Sequence, residues 1–291
     1  MNNAAWLEVA LNGSWNRKRQ PLVPISVEEI VAEGIACVRE GASIVHYHAF
    51  DLERGVQSDD IELHRRIIGG IRDQVDALIY PTTSSRKLWP GKPDALTGRF
   101  DLARALAAHG LLDCLVIDPG AHLMFDPKQR WTPYIYANFA EEIEEALAIC
   151  RDSGAAPSFA IYEPGYARVG ALLAQAAALP VQPIQRVMFS DTLLYGMPPG
   201  HAAIAAYAAM FAGLGSRWMM AGLDYDIDRW MAPALAAGAD IRVGLEDAPH
   251  GSSRSNVEQV RDAAAAITLS GRALATAADV RAGLASRPLP V

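Results

Sequence analysis

Short apolar runs alternate with longer segments of helical period from one end of the chain to the other. Bounded by Gly, Pro, Asn or Asp, the runs predict strands over Leu7–Asn12, Ser43–His48, Ala77–Thr82, Cys114–Asp118, Phe159–Glu163, Arg186–Asp191, Trp218–Gly222 and Ile241–Glu246. Between them, apolar positions repeating at three and four residues predict helices near 27–40, 59–75, 95–109, 138–153, 167–178, 200–213, 227–237 and 255–269. Ser26 reads as an N-cap, because Glu28 and Glu29 follow it where acids complement the helix dipole. Gly41, Gly110, Gly154 and Gly238 stand where helices should stop. Beyond about residue 270 the pattern predicts one more short helix and a tail, Arg287-Pro-Leu-Pro-Val, packing on the body of the protein or on a neighbouring subunit.

Eight strand–helix units are the count of a (β/α)8 TIM barrel, here one domain over residues 1–291. Parallel strands covered on both faces explain the near-continuous apolar runs. A doubly wound sheet gives the same alternation. However, no Gly-x-Gly-x-x-Gly follows the first strand and no Walker-type loop occurs, so the usual markers of a nucleotide-binding sheet are missing.

Composition narrows the class. Of the 291 residues 51% are hydrophobic, which excludes a disordered chain and a disulfide-stapled miniprotein. Twenty-six basic against 33 acidic residues leave a net charge of −7. That argues against a nucleic-acid or anionic-membrane partner but leaves room for a local basic pocket. Cys37, Cys114 and Cys150 have no metal-like or redox-like spacing and read as reduced and buried. The start, Met1-Asn-Asn-Ala-Ala-Trp6, lacks the basic and apolar regions of a signal peptide. The apolar stretch from Ala202 to Leu214 falls short of the roughly 20 residues needed to cross a bilayer. A cytoplasmic enzyme is expected.

In a barrel the chemistry lies at the C-terminal strand ends. Polar residues gather there: Asn12, His46 and His48, Thr82 and Thr83, Asp118, Glu163, Asp191, and Glu246 with Asp247. His46 and His48 share strand parity, so both imidazoles project to one side and suit a divalent metal such as zinc. A hydrogen-bonded pair at a strand end is the plainer alternative. Glu246, ending the last strand, is the natural third ligand, unless it and Asp247 only cap the following segment. Arg242 has the parity of Glu246, and a buried arginine must pair with Asp247 or with an anionic ligand.

With these positions in place the chain resembles the β-keto acid cleavage enzymes, whose founding activity is 3-keto-5-aminohexanoate cleavage. The matching stretches are Leu11-Asn-Gly13, Pro24-Ile-Ser-Val-Glu-Glu-Ile30, Gly41-Ala-Ser-Ile-Val-His-Tyr-His48, Arg242-Val-Gly-Leu-Glu-Asp247 and Ser255-Asn256. They span almost the whole chain. The resemblance implies a zinc-dependent barrel that converts a β-keto acid plus acetyl-CoA into acetoacetate and a new acyl-CoA. It implies His46, His48 and Glu246 as zinc ligands, Arg242 and Asp247 as catalytic partners, and Thr82 as a hydroxyl in the site. It also implies a homo-oligomer. Because acetyl-CoA is anionic, Arg17, Lys18 and Arg19 after the first strand are the expected basic pocket.

The departures point to a divergent branch. The family's fifth strand usually carries a glutamate base where this chain has Ala160, and Glu163 three residues on is the candidate to replace it. Ser14-Trp15 stands where an acid often holds a substrate amine, which disfavours an aminated substrate. Ala49-Phe50-Asp51, Thr82-Thr-Ser-Ser85 and Asp118-Pro-Gly-Ala-His122 also differ from the usual motifs. Substrate choice is expected to rest on loop residues such as Trp15, Trp89, His122 and Tyr166. Two other readings compete: a zinc hydrolase of the amidohydrolase type, and a metal- or ligand-binding barrel that has lost catalysis.

Overall fold

The computed structural model describes residues 4–88, 98–128, 130 and 132–285. Trp89, the first residues of the third predicted helix and the Arg287–Val291 tail lie outside them. Eight parallel strands form the centre: β1 (Leu7–Ala10), β2 (Ile44–Tyr47), β3 (Leu78–Pro81), β4 (Cys114–Ile117), β5 (Ala156–Ile161), β6 (Ile184–Phe189), β7 (Met219–Gly222) and β8 (Asp240–Val243). Their hydrogen-bonded order is β3-β2-β1-β8-β7-β6-β5-β4. First and last strands therefore meet side by side, Leu7 beside Ile241, and the barrel is nearly closed. At the β3/β4 seam the Asp113 carboxylate accepts from the Ile79 N–H at 2.8 Å and from Arg72 at 2.9 Å. A side chain does there what the backbone ladder does elsewhere.

The helices α1 (Val27–Arg39), α2 (Ile61–Arg72), α3 (Asp101–Ala108), α4 (Ala140–Ser153), α5 (Pro164–Ala176), α6 (His201–Gly213), α7 (Asp228–Ala236) and α8 (Asn256–Leu269) follow the strands in turn. Ser26 caps α1 in a reciprocal capping box with Glu29. The four glycines expected at helix ends all have positive φ. Helix α5 starts three residues before its predicted position, because Pro164 occupies the first turn, where its fixed φ suits a helix start. A ninth helix, α9 (Ala277–Ala285), packs Val280 and Leu284 with Trp6, Ile44, Cys114 and Met219 at the N-terminal end of the barrel. The three cysteines are buried and unpaired, as expected.

Two small antiparallel elements escaped the sequence pattern. One joins Phe50–Asp51 to Val56–Gln57, and the other joins Lys87–Leu88, Ala121–Met124 and Tyr134–Ala137. The second stands over the β4 end and carries His122 into the mouth. Inside the barrel, alternate residues stack in layers. An apolar layer at the bottom gives way to a polar one of Glu8, Tyr80, Ser158, Arg186 and Arg242.

Candidate active site

His46 and His48 leave β2 on the same side, and Glu246 arrives from the turn after β8. His46 Nε2 lies 3.3 Å from one carboxylate oxygen of Glu246, and His48 Nε2 lies 3.5 Å from the other. All three ligand atoms fall within 4.8 Å of one another, the one such cluster of His, Cys, Asp or Glu among the described residues. Ligands about 2.05 Å from a tetrahedral zinc stand about 3.4 Å apart, so the histidine–glutamate separations match a metal's edges. His48 Nε2 and Glu246 Oε2 have no hydrogen-bond partner in this buried setting, as atoms reserved for a cation would not. The residues therefore fit a divalent metal.

Beneath the triad lies a buried charge network. Arg242 donates through Nε and Nη2 to both oxygens of Asp247, at 2.7 and 2.9 Å, and through Nη1 to Glu8 at 2.7 Å. Its Nη2 also approaches Glu246 at 3.2 Å. Glu8 accepts a second bond from Tyr80 at 2.6 Å. Sequence reasoning found Arg242, Asp247 and Glu246 but missed Glu8 and Tyr80. The signal for Glu8 was present: it is a lone acid inside an apolar run, with the inward parity of Ala10 and Asn12.

Backbone anchors set the ligands. Asn12 accepts from the His48 N–H and donates to the His48 carbonyl, both at 2.9 Å. Asn256 accepts from the Leu245 N–H at 2.8 Å, one residue before Glu246, and donates to the Leu11 carbonyl. This is the physical use of the Ser255-Asn256 motif. Gly13 has φ +59°, and a Cβ there would stand 2.8 Å from the Glu246 Cγ. Gly13→Ala is thus expected to push Glu246 off its position, weakening metal affinity at least about tenfold. It should also lower stability by about 1 kcal/mol or more. A chelator-competition titration checks the first, and unchanged affinity would refute the positioning argument.

The electrostatics suit a metal and a base. Burial pushes the His46 imidazole down to about 4, against the pull of Glu246, so it is a neutral ligand at neutral pH. Burial raises Glu246 as well, but His46, Arg242 and His48 together hold it well below the usual carboxylate range. Burial pushes Asp247 up to about 6 although Arg242 opposes the rise. That places a carboxylate of useful basicity beside the triad.

Of the other expected residues, Thr82 lies just past β3 and comes level with His48, since Tyr80 pairs with His46 and Pro81 with Tyr47. The Thr82 hydroxyl stands 3.4 Å from the Thr83 carbonyl, and among the described residues it makes no hydrogen bond to the triad. Glu163, the candidate replacement base, follows Tyr162 just past the end of β5, and its carboxylate accepts the Gly196 N–H at 3.0 Å, which ties it to the loop after β6. Arg17 pairs with Glu29 at 2.5 Å on the first turn of α1. The Lys18 backbone N–H donates to Asn16, with the residue exposed. The Arg19 guanidinium lies 5.1 Å from the centre of the Trp15 ring. Trp15 in turn donates to the Glu246 carbonyl at 2.7 Å.

A parallel barrel with a His-x-His and a glutamate converging at its C-terminal mouth is, by fold, a TIM barrel with a candidate metal site. The chain belongs to the beta-keto acid cleavage enzyme family, which matches residues 4–285. It is 26% identical over 237 residues to the 3-keto-5-aminohexanoate cleavage enzyme of Fusobacterium nucleatum, covering 79% of this chain and 77% of that protein. It is 23% identical to the 3-oxoadipate:acetyl-CoA acetyltransferase of Cupriavidus necator, covering 97% and 95%. Among solved structures, a binary complex of ObcA with oxaloacetate superposes with a TM-score of 0.67 at 17% identity, over 91% of this chain and 67% of that one. Family membership removes the amidohydrolase reading. Among the described residues, no helix is long and apolar enough to cross a membrane.

Proposed function

We propose that this protein transfers an acyl group from a β-keto acid to coenzyme A, using acetyl-CoA and releasing acetoacetate and a new acyl-CoA. The observation that carries the reading is the convergence of His46, His48 and Glu246 beside the buried Arg242–Asp247 pair. Relatives named for 3-oxoadipate, 3-dehydrocarnitine and 3,5-dioxohexanoate, each with acetyl-CoA, support the shared chemistry. They differ in the acid, so the family alone does not set it.

His46, His48 and Glu246 would hold zinc, which when bound supplies Lewis acidity toward a keto oxygen. Asp247, raised by burial, takes the proton from the α-carbon of the acid. The resulting carbanion forms a bond to the thioester carbonyl of acetyl-CoA and the CoA thiolate leaves. The thiolate then adds to the original ketone, the carbon–carbon bond breaks, and Asp247 returns its proton to the acetoacetate carbon. Arg242, fixed by Glu8 and Asp247, presents positive charge to the oxyanions without having to reorganise. Arg19, beside Trp15, is the residue we assign to the CoA phosphates.

The test is to incubate metal-loaded protein with acetyl-CoA and a panel of 3-oxo acids while measuring acetoacetate and acyl-CoA. Equal amounts of both support the reading. No acetoacetate from any acid, with metal bound and the fold intact, would favour a binding barrel. In the same assay Glu163→Gln should stay within a few-fold of wild type, because the amide oxygen still accepts the Gly196 N–H. A loss of about a hundredfold with metal retained would give Glu163 the role of base.

A further inference from the structure

Four buried polar atoms over the ends of β4, β5 and β6 have no partner in the protein: Arg186 Nε, His122 Nε2, the Tyr195 hydroxyl and Asp118 Oδ1. Each residue is more than nine-tenths buried. Arg186 is the most telling. Its Nη2 donates to the Ser158 carbonyl at 3.0 Å, yet among the described residues no carboxylate forms an ion pair with it. Glu8 and Asp118 act on it through space, but neither carboxylate makes an ion pair with it. A buried guanidinium without a contact ion is costly and suits a place where an anion is to be bound.

Arg186 and Ala160 are direct partners across β5 and β6, so both side chains face the barrel interior. Ala160 contributes only a methyl group there, packed with Met124, Met188, Leu193 and Ala221. Tyr162, two residues above Ala160 on the same face, stacks on His122 at 4.7 Å and meets Tyr195 at 5.1 Å. Tyr80 joins this region to the metal ligands: its ring lies 4.7 Å from His46, and its hydroxyl accepts from Ser158 at 3.2 Å. The unpartnered atoms therefore sit one tyrosine from the triad.

The region is rich in donors. Arg186 carries a fixed charge, and Tyr195 has a free hydroxyl. His122 Nδ1 lies 2.9 Å from the Tyr166 hydroxyl, and when Tyr166 donates, the ring hydrogen is on Nε2. Burial keeps that ring neutral. Asp118 Oδ1 is the one carboxylate oxygen among the four atoms, and burial raises its carboxyl although Tyr136 and Arg186 oppose the rise. Donors converging on an apolar floor suit a carboxylate carried on a short methylene chain.

We propose that this region is the pocket for the substrate's own side chain and that it selects 3-oxo dicarboxylic acids, the distal carboxylate binding Arg186. The proposal rests on the acyl-transfer reading above. The competing role for Arg186 is structural, through a water shared with Glu8, whose second oxygen also lacks a partner.

Acetoacetate formation from the six-carbon 3-oxo diacid and the six-carbon 3-oxo monoacid separates the two. Wild type should favour the diacid by about 100-fold in kcat/KM. Arg186→Met should erase most of that ratio, Arg186→Lys should keep part of it, and Tyr195→Phe, which removes one unpartnered oxygen, should lower it several-fold. Equal use of both acids by wild type, or loss of both rates in the same proportion in Arg186→Met, would overturn the pocket and leave acyl transfer standing. If wild type turns over neither acid, the proposed diacid preference fails, and acyl transfer itself is judged on the wider panel of 3-oxo acids. Adipate then decides the pocket alone: it should raise the melting temperature of wild type and not of Arg186→Met, and no shift in wild type overturns the proposal.

Discussion

Replacing His46 by alanine is expected to strip the metal from the purified protein and to lower turnover at least about 1,000-fold, with the barrel still folded. A three-ligand site that loses one imidazole keeps two donors, too few to hold a catalytic ion against solvent. The fold should survive because His46 lies at the mouth, outside both large apolar clusters. Elemental analysis against protein concentration reads the first effect, circular dichroism the second and the acyl-transfer assay the third. Metal content unchanged from wild type would end the assignment of His46 as a ligand. Glu246→Gln should lose metal too, and in addition leave Arg242 with less opposing charge.

Arg242→Met should produce the largest loss of stability, about 3–5 kcal/mol, together with loss of activity. The guanidinium is 1% exposed and joins Glu8, Asp247 and Glu246. Without it these carboxylates face one another in a dry interior, and at least one must take up a proton. The double variant Glu8→Gln/Arg242→Met should therefore recover part of the stability while staying inactive, since the oxyanion partner is still missing. Denaturant titration of wild type, both single variants and the double variant closes the cycle. An Arg242→Met protein as stable as wild type would mean that the network is not electrostatically strained by the loss.

Much of this was legible along the chain. All eight barrel strands and the eight helices between them follow from alternation, because parallel strands buried on both faces must be apolar throughout. The His46–His48–Glu246 set was legible for a different reason: strand parity fixes which side chains share a face, and polar residues gathered at the strand ends mark the mouth. The hairpin carrying His122 was not legible. Its strands, Ala121–Met124 and Tyr134–Ala137, pair only with each other and with Lys87–Leu88 above the mouth, so no burial on two faces marks them. The contact Glu163 makes with Gly196 was not legible for a related reason. Distance along the chain from Ala160 carries no information about direction once the strand gives way to a helix at Pro164.

The sequence by itself therefore determined the architecture, the three candidate ligands and the presence of Arg242 and Asp247 near them, because period and parity are local properties of the backbone. Only the tertiary structure decided who meets whom. It brought Glu8 from β1 against Arg242 from β8, 234 residues apart, and tied Arg17 to helix α1 while leaving Arg19 beside Trp15. It also set Arg186 beside Ala160 with no carboxylate in ion-pair contact. Those outcomes depend on barrel closure and side-chain reach across strands distant in sequence, and charge pairing in a buried layer is settled by that geometry alone.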